Sequence, residues 1–129
     1  GAMPYYMSPE IIQDRPYEYK TDVWSCGVLL YEVMTLRHPF DADSLVILAS
    51  NILKNTYPPP DPCYSAELLA VLKDLLCKDV KSRPNINEVM KEHSFLREHM
   101  FQANEKYALG LDLSFITPLV VTMSAVFHG

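Results

Sequence analysis

The segment from Thr21 to Leu36 constrains the fold more than any other part of the chain. Its apolar side chains recur on every side of a helix rather than along one stripe. They are Val23, Trp24, Cys26, Val28, Leu29, Leu30, Tyr31, Val33, Met34 and Leu36. A helix that is apolar all round is stable in water only when other elements cover it on all sides. The sequence therefore predicts a long buried central helix around which the rest of the chain packs.

Three further helices are predicted from capping residues and apolar spacing, over residues 44–54, 65–77 and 85–92. The first carries an apolar stripe that includes Leu45, Ile47, Leu48, Ile52 and Leu53. Ser8 followed by Pro9 predicts a short helix before the central one, with the serine hydroxyl as its cap. The proline-rich run at residues 58–62 cannot belong to a helix or to a central strand. Because no strand-like alternation intervenes, the predicted class is all-α.

The composition is that of one small globular domain. The chain has 129 residues, of which 49% are hydrophobic and 21% are charged. Its formal net charge of -5 argues against a nucleic-acid partner, because such surfaces need clustered Lys and Arg. The three cysteines form no C-x-x-C pair, and the chain opens without a signal-like segment. These features predict reduced thiols and a cytoplasmic location.

Four short motifs follow one another in a fixed order. They are Pro4-Tyr5-Tyr6-Met7-Ser8-Pro9-Glu10, Asp22-Val23-Trp24-Ser25-Cys26-Gly27-Val28, His38-Pro39-Phe40, and the segment from Asp79 to Arg83-Pro84. In this order and spacing, the motifs resemble the second half of a serine/threonine protein kinase domain. The form of the first motif is especially similar to the NIMA-related kinases, with Ser8 in the place of an alanine. The resemblance covers residues 4–96 and implies the helical C-terminal lobe of the protein-kinase fold, as a partial domain.

The resemblance assigns a substrate-docking role to the loop at the start of the chain. Tyr5, Tyr6 and Met7 would line the pocket for the substrate residue that follows the phosphorylated Ser or Thr. An alternative remains open, in which the loop lacks neighbouring parts and is exposed and partly mobile.

Two further pairs of residues also receive roles from the resemblance. Glu10 and Arg83 would form a buried ion pair that holds the docking loop to the base of the lobe. Asp22 and Trp24 belong to the signature of the central helix, where the family's aspartate accepts amide hydrogens from a catalytic loop. This chain lacks that catalytic loop, so the favoured role of Asp22 is that of a carboxylate at a helix start, where the helix dipole favours negative charge.

The sequence contains none of the motifs with which kinases bind nucleotide and metal. It has no glycine-rich loop, no His-Arg-Asp and no Asp-Phe-Gly. We therefore expect no catalytic, cofactor-binding or metal-binding residue in this chain, and ATP and Mg are implied for the parent kinase alone. The parent would phosphorylate protein substrates. The alternative is a non-catalytic interaction module that binds protein partners or regulators through the docking loop, the late helices or the central helix.

The chain divides into three regions. Residues 1–3 have the character of a cloning remnant, residues 4–101 form the partial lobe, and residues 102–129 form an apolar tail. In the family, helices that precede position 4 cover part of the central helix, so the face with Trp24, Val28, Leu29 and Tyr31 is expected to be exposed. Self-association or the tail would then cover it. Residues 113–127 are uncharged, but they are fewer than the ~20 apolar residues of a bilayer span, which disfavours a membrane anchor.

Overall fold

The computed structural model describes residues 3–15, 19–96, 98, 99 and 102. The described residues form α1 (Pro9–Ile12), α2 (Lys20–Thr35), α3 (Leu45–Lys54), α4 (Ala66–Leu75) and α5 (Ile86–Glu92), and residues 94–96, 98, 99 and 102 are also helical. The described part of the chain contains no strand, so the prediction of an all-α fold is confirmed. The helix α2 is the predicted central helix, and α4 packs along it while α1 lies against α3.

The prediction that the central helix is left partly uncovered is wrong. Trp24, Val28 and Tyr31 are fully buried, and Leu29 is half-buried. Among the apolar side chains of residues 21–36, Leu36 at the C-terminal cap is the exposed one, and it adopts a left-handed backbone conformation there. The expected self-association through an exposed face of α2 therefore loses its structural basis.

Aromatic side chains from the segments that follow α2 provide the cover. The ring of Phe40 stacks on Trp24 with a centroid distance of 5.7 Å, and Tyr57 meets Tyr31 edge-on at 5.4 Å. Phe40 and Tyr57 also contact each other edge-on at 5.9 Å. Such aromatic pairs bury large areas in favourable geometries. The turn after α2 and the connector after α3 thus fold back over the central helix.

The helix α3 begins as predicted but buries less of its stripe. The side chain of Ser44 accepts a hydrogen bond from the Ile47 amide at 3.3 Å. Leu48 and Ile52 are fully buried, whereas Leu45 and Ile47 are about half exposed. The predicted stripe was too wide because the neighbouring elements cover only one side of this helix.

The helices α4 and α5 have the predicted caps. Ser65 accepts a hydrogen bond from the Leu68 amide at 3.2 Å, and α4 buries Leu68, Leu72 and Leu75. The capping box of α5 is complete, because Asn85 and Glu88 each accept from the other's backbone amide. These local hydrogen bonds satisfy amides that a helix start otherwise leaves free.

The short helix α1 departs from its predicted cap. Pro9 occupies the first helical position, as expected, but the Ser8 side chain caps no amide. The hydroxyl of Ser8 is buried and has no hydrogen-bond partner among the described residues. Its backbone carbonyl accepts from the Ile12 amide at 3.2 Å instead. Met3, which the sequence analysis set aside, packs against the core.

No helix in the described ranges is long and apolar enough to cross a membrane. The predicted apolar tail, residues 102–129, lies outside the described part of the chain except for Gln102.

We predict that Gly27→Ala destabilises the fold. A Cβ atom at this position would lie 2.8 Å from Leu76 Cδ2 and 2.9 Å from Leu75 Cβ, where α2 and α4 pack closely. Overpacking of this kind costs about 1–3 kcal/mol, which exceeds the ~1 kcal/mol that alanine gains over glycine inside a helix. Urea unfolding should show a net loss of stability. The control Ser50→Ala, at an exposed position of α3, should show none, and a Gly27→Ala variant as stable as wild type would contradict the prediction.

Candidate functional site

The candidate site is the loop that precedes α1, which we call the docking loop (residues 4–7). It forms a tight turn in which the Met7 amide donates a hydrogen bond to the Pro4 carbonyl at 3.1 Å. Tyr5 and Met7 are half-buried and pack against the core, whereas Tyr6 is 43% exposed. Tyr5 and Met7 are therefore less exposed than the alternative of an exposed, partly mobile loop expects, whereas Tyr6 is exposed as that alternative expects.

The docking loop contacts the C-terminal half of the central helix and the turn that follows it. The hydroxyl of Tyr6 donates a hydrogen bond to one carboxylate oxygen of Glu32. The other oxygen of Glu32 lies 2.6 Å from His38 Nδ1. The ring of His38 stacks on Tyr5, with a centroid distance of 3.6 Å and an interplanar angle of 10°. The Glu32 carboxylate thus connects both tyrosines of the loop to the helix. It accepts a hydrogen bond from Tyr6 directly, and it contacts the imidazole on which Tyr5 stacks.

This environment changes the acidity of Tyr6. The hydrogen bond to Glu32, together with partial burial and the charge of that carboxylate, raises the pKa of Tyr6 to about 12. The tyrosine therefore keeps its proton at physiological pH and remains a hydrogen-bond donor.

A buried ion pair lies just after the loop, where α1 begins. Arg83 donates to Glu10 from two nitrogens, with Nη1–Oε2 at 2.8 Å and Nη2–Oε1 at 3.0 Å. The side chain of Arg83 is fully buried and that of Glu10 is 2% exposed. Thr21 adds a hydrogen bond to Glu10 Oε2 at 2.7 Å. The structure thus brings together the two residues that the resemblance paired, although 73 positions separate them.

The remaining hydrogen atoms of the guanidinium group are also used. Arg83 Nε donates to the Cys77 carbonyl at 2.8 Å, and Nη1 donates to the Lys20 carbonyl at 2.8 Å. The last hydrogen, on Nη2, points to the Lys78 carbonyl at 3.5 Å. The guanidinium carbon lies 5.1 Å from the ring centroid of Trp24, a distance suited to a cation–π contact. These hydrogen bonds and the opposite charge of Glu10 offset the free-energy cost of removing the guanidinium charge from water.

Several competing effects act on the acidity of Glu10. Burial raises the pKa of this carboxyl, but the hydrogen bonds from Arg83 and Thr21, a backbone hydrogen bond and the charge of Arg83 lower it. The combined result lowers the pKa of Glu10 from its ordinary 4.5 to about 2. Glu10 is therefore ionised at neutral pH, and the pair is a true ion pair.

The two residues of the central-helix signature differ in their surroundings. Asp22 lies in the first turn of α2 and is exposed. Trp24 is buried between Arg83 and Phe40, and its Nε1 has no hydrogen-bond partner among the described residues. Sequence reasoning missed the roles of Glu32 and His38, because their partners in the docking loop are more than 25 positions away.

One group of side chains could hold a metal ion, although sequence reasoning, which searched for His and Cys spacing, did not find it. Ligand atoms of Asp74, Glu92 and His93 all lie within 4.8 Å of one another. His93 Nε2 is already hydrogen-bonded to Asp74 Oδ2 at 2.7 Å, so this contact bridges α4 and the end of α5 without a metal.

We predict that Glu10→Gln removes a pH-dependent part of the stability. A carboxyl with a lowered folded-state pKa stabilises the fold above its unfolded-state pKa, and this contribution is lost as the pH falls through the folded-state value. The variant should be less stable than wild type at pH 7 by about 3 kcal/mol, because it leaves the Arg83 charge unpaired. The difference should shrink as the pH falls from about 4.5 to about 2. Urea unfolding across this range measures it.

The control for this experiment is Glu67→Gln, at an exposed position in the first turn of α4. It should follow the wild-type curve closely. A stability difference between Glu10→Gln and wild type that stays constant down to pH 2 would show that the carboxylate charge is not the cause.

We predict that Tyr6→Phe loosens the docking loop while leaving the core intact. The variant keeps the ring but removes the donor to Glu32, a loss of about 1 kcal/mol in local opening free energy. Amide hydrogen exchange at Met7 should then be roughly fivefold faster. Tyr19→Phe is the matched control, since Tyr19 is 63% exposed. Equal exchange rates at Met7 in both variants would exclude an anchoring role for the Tyr6 hydroxyl.

Comparison with known proteins gives the lineage of this arrangement. The family profile of the protein kinase domain matches residues 2–96. A probable serine/threonine-protein kinase of Dictyostelium discoideum, nek3, is 43% identical over 98 residues, which are 75% of this chain and 9% of that protein. Human serine/threonine-protein kinase Nek5 is 43% identical over 88 residues, which are 68% of this chain and 12% of that protein.

A third relative, mouse serine/threonine-protein kinase Nek1, is 38% identical over 89 residues, or 69% of this chain and 7% of that protein. The chain thus spans between 7% and 12% of the length of these three relatives. The matched segment contains the docking loop, the Glu10–Arg83 pair and the central helix. The chain therefore belongs to the protein kinase family, as part of a kinase domain of the NIMA-related serine/threonine type.

Proposed function

We propose that this chain forms the substrate-docking part of a NIMA-related kinase whose complete domain transfers the γ-phosphate of ATP, with Mg, to Ser or Thr of protein substrates. The observation that carries the proposal is the anchoring of the docking loop and of the helix that follows it. Glu32 and His38 contact its tyrosines, and the Glu10–Arg83 pair holds the helix that follows it. Tyr5, Tyr6 and Met7 are the residues that would meet the substrate.

The physical reason for such anchoring lies in the chemistry of phosphoryl transfer. This reaction depends almost entirely on positioning and on electrostatic stabilisation. A substrate displaced by about 1 Å can react some hundredfold more slowly. A docking loop attached to a buried helix would hold the acceptor hydroxyl at a constant place relative to the nucleotide.

The residues of this chain do not by themselves supply the remaining groups of the reaction. The glycine-rich loop, the Lys–Glu pair, the aspartate base and the metal ligands have no counterpart in the sequence. The chain alone should therefore bind no ATP and transfer no phosphate. The free thiols of Cys26, Cys63 and Cys77 support a reducing compartment, and we place the protein in the cytoplasm.

A replacement experiment tests the proposal. Residues 4–96 would replace the matching segment of mouse Nek1, and the chimera would be assayed for phosphorylation of a protein substrate. We expect ATP-dependent phosphorylation of Ser or Thr, with a raised KM for substrate when the inserted segment carries Tyr6→Phe. The isolated 129-residue chain should show no ATP turnover and no thermal shift with ATP and Mg. A chimera that binds ATP but phosphorylates nothing would contradict the proposal.

A second candidate function is a non-catalytic interaction module. It is favoured by the exposed apolar surface at the start of α3, where Leu45, Val46 and Ile47 are 54%, 79% and 53% exposed. Surface apolar clusters of this kind often mark protein contacts. The chimera separates the two candidates, because a segment selected only for binding has no need to support phosphoryl transfer.

A further inference from the structure

A pocket of about 640 Å³ lies between the proline-rich connector and α4. One wall is a single helical face, formed by Leu69, Leu72, Lys73 and Leu76 at positions i, i+3, i+4 and i+7. The opposite wall is the connector after α3. The volume is within the range of pockets that bind small molecules. No residue of the docking loop lines it.

The interior of this pocket is apolar. The half-buried Leu69 gives the leucine surface of the floor that a ligand can reach, and the almost fully buried Leu72 and Leu76 support it from beneath. Tyr57, Pro59 and Pro60 face them from the connector. A ligand with an alkyl chain would gain roughly fourfold in affinity for each methylene group that it buries there.

The rim of the pocket is positively charged. Lys73 and Lys78 line it, are exposed, and form no ion pair within the described residues. The acidic residue of the lining, Asp74, is engaged with His93 at 2.7 Å. Lys73 and Lys78 give the rim a local positive charge, although the chain as a whole has a formal net charge of -5. They complement a ligand that carries a negative charge at one end.

We propose that this pocket binds a small amphipathic anion of the fatty-acid class, with its alkyl chain on the leucine floor and its carboxylate at the two lysines. The apolar floor would bind the alkyl chain of the ligand, and the two lysines would bind its carboxylate. The proposal depends on both features together. The proposal is independent of the proposed kinase function, since it concerns a different surface and needs no nucleotide.

The test is titration of the full 129-residue chain with decanoate below its micelle concentration, followed by calorimetry and by backbone amide chemical shifts. We expect saturable binding of one decanoate, with the largest shifts at Leu69, Leu72 and Cys77. Decan-1-ol has the same chain without the charge and should bind at least threefold more weakly. Raising the salt concentration should weaken decanoate binding and leave decan-1-ol binding unchanged.

Variants separate the two features of the pocket. Lys73→Ala combined with Lys78→Ala should weaken decanoate binding by roughly threefold to tenfold, as expected for exposed charge pairs. Lys91→Ala, an exposed lysine of α5, is the matched control and should have no effect. Leu69→Trp, at a half-buried position, should fill the pocket and abolish the binding of both ligands.

Three outcomes would overturn the proposal. The first is no saturable binding of decanoate, or shifts centred away from the pocket. The second is equal affinity for decanoate and decan-1-ol, or equal effects of the rim variant and of Lys91→Ala. The third is displacement of decanoate by a short acidic peptide of similar affinity, which would identify the pocket as a protein-docking site instead.

Discussion

The buried guanidinium group of Arg83 is the contact on which the rest of the structure depends. It joins three separate parts of the chain: Glu10 in α1, the Lys20 carbonyl and the ring of Trp24 in α2, and the Cys77 carbonyl after α4. Charge buried without partners is costly, so each of these segments must be in place for the others to be stable. The Glu10–Arg83 pair therefore makes folding more cooperative, in addition to the electrostatic attraction between the two side chains. It also explains how a helix as short as α1 has a defined position.

The central helix imposes the second constraint, because its apolar surface must be covered. The segments that cover it come from within the same lobe: Phe40 after α2, Tyr57 after α3, and the helix α4. Two hydroxyl groups reinforce this cover, since Tyr31 donates to the Pro58 carbonyl at 2.6 Å and Tyr64 donates to the Met34 carbonyl at 2.8 Å. The proline-rich connector thus covers the central helix, and its outer edge forms one wall of the pocket beside α4.

The candidate site depends on both the buried Arg83 contacts and the buried central helix. A loop that carries function needs a rigid scaffold beneath it. The docking loop has such a scaffold. Its tyrosine Tyr6 is hydrogen-bonded to Glu32 of the buried central helix, and the helix that follows the loop carries Glu10, which is paired with Arg83. The side chains of Tyr5 and Tyr6 are consequently held by contacts to His38 and to Glu32 of the central helix. This relation between a rigid lobe and a positioned loop is the physical content of the proposed kinase role.

The sequence by itself determined the helices and the lineage. The all-round apolar pattern of α2, the capping serine of α4 and the Asn85–Glu88 capping box are local signals, and each depends on residues within a few positions of one another. Only the tertiary structure decided which surfaces are covered. It buried Trp24 and left Ile47 about half exposed, because burial depends on segments that lie far apart in the chain. The same reason applies to the contacts of Glu32 with the docking loop, since no local pattern encodes a hydrogen bond between distant residues.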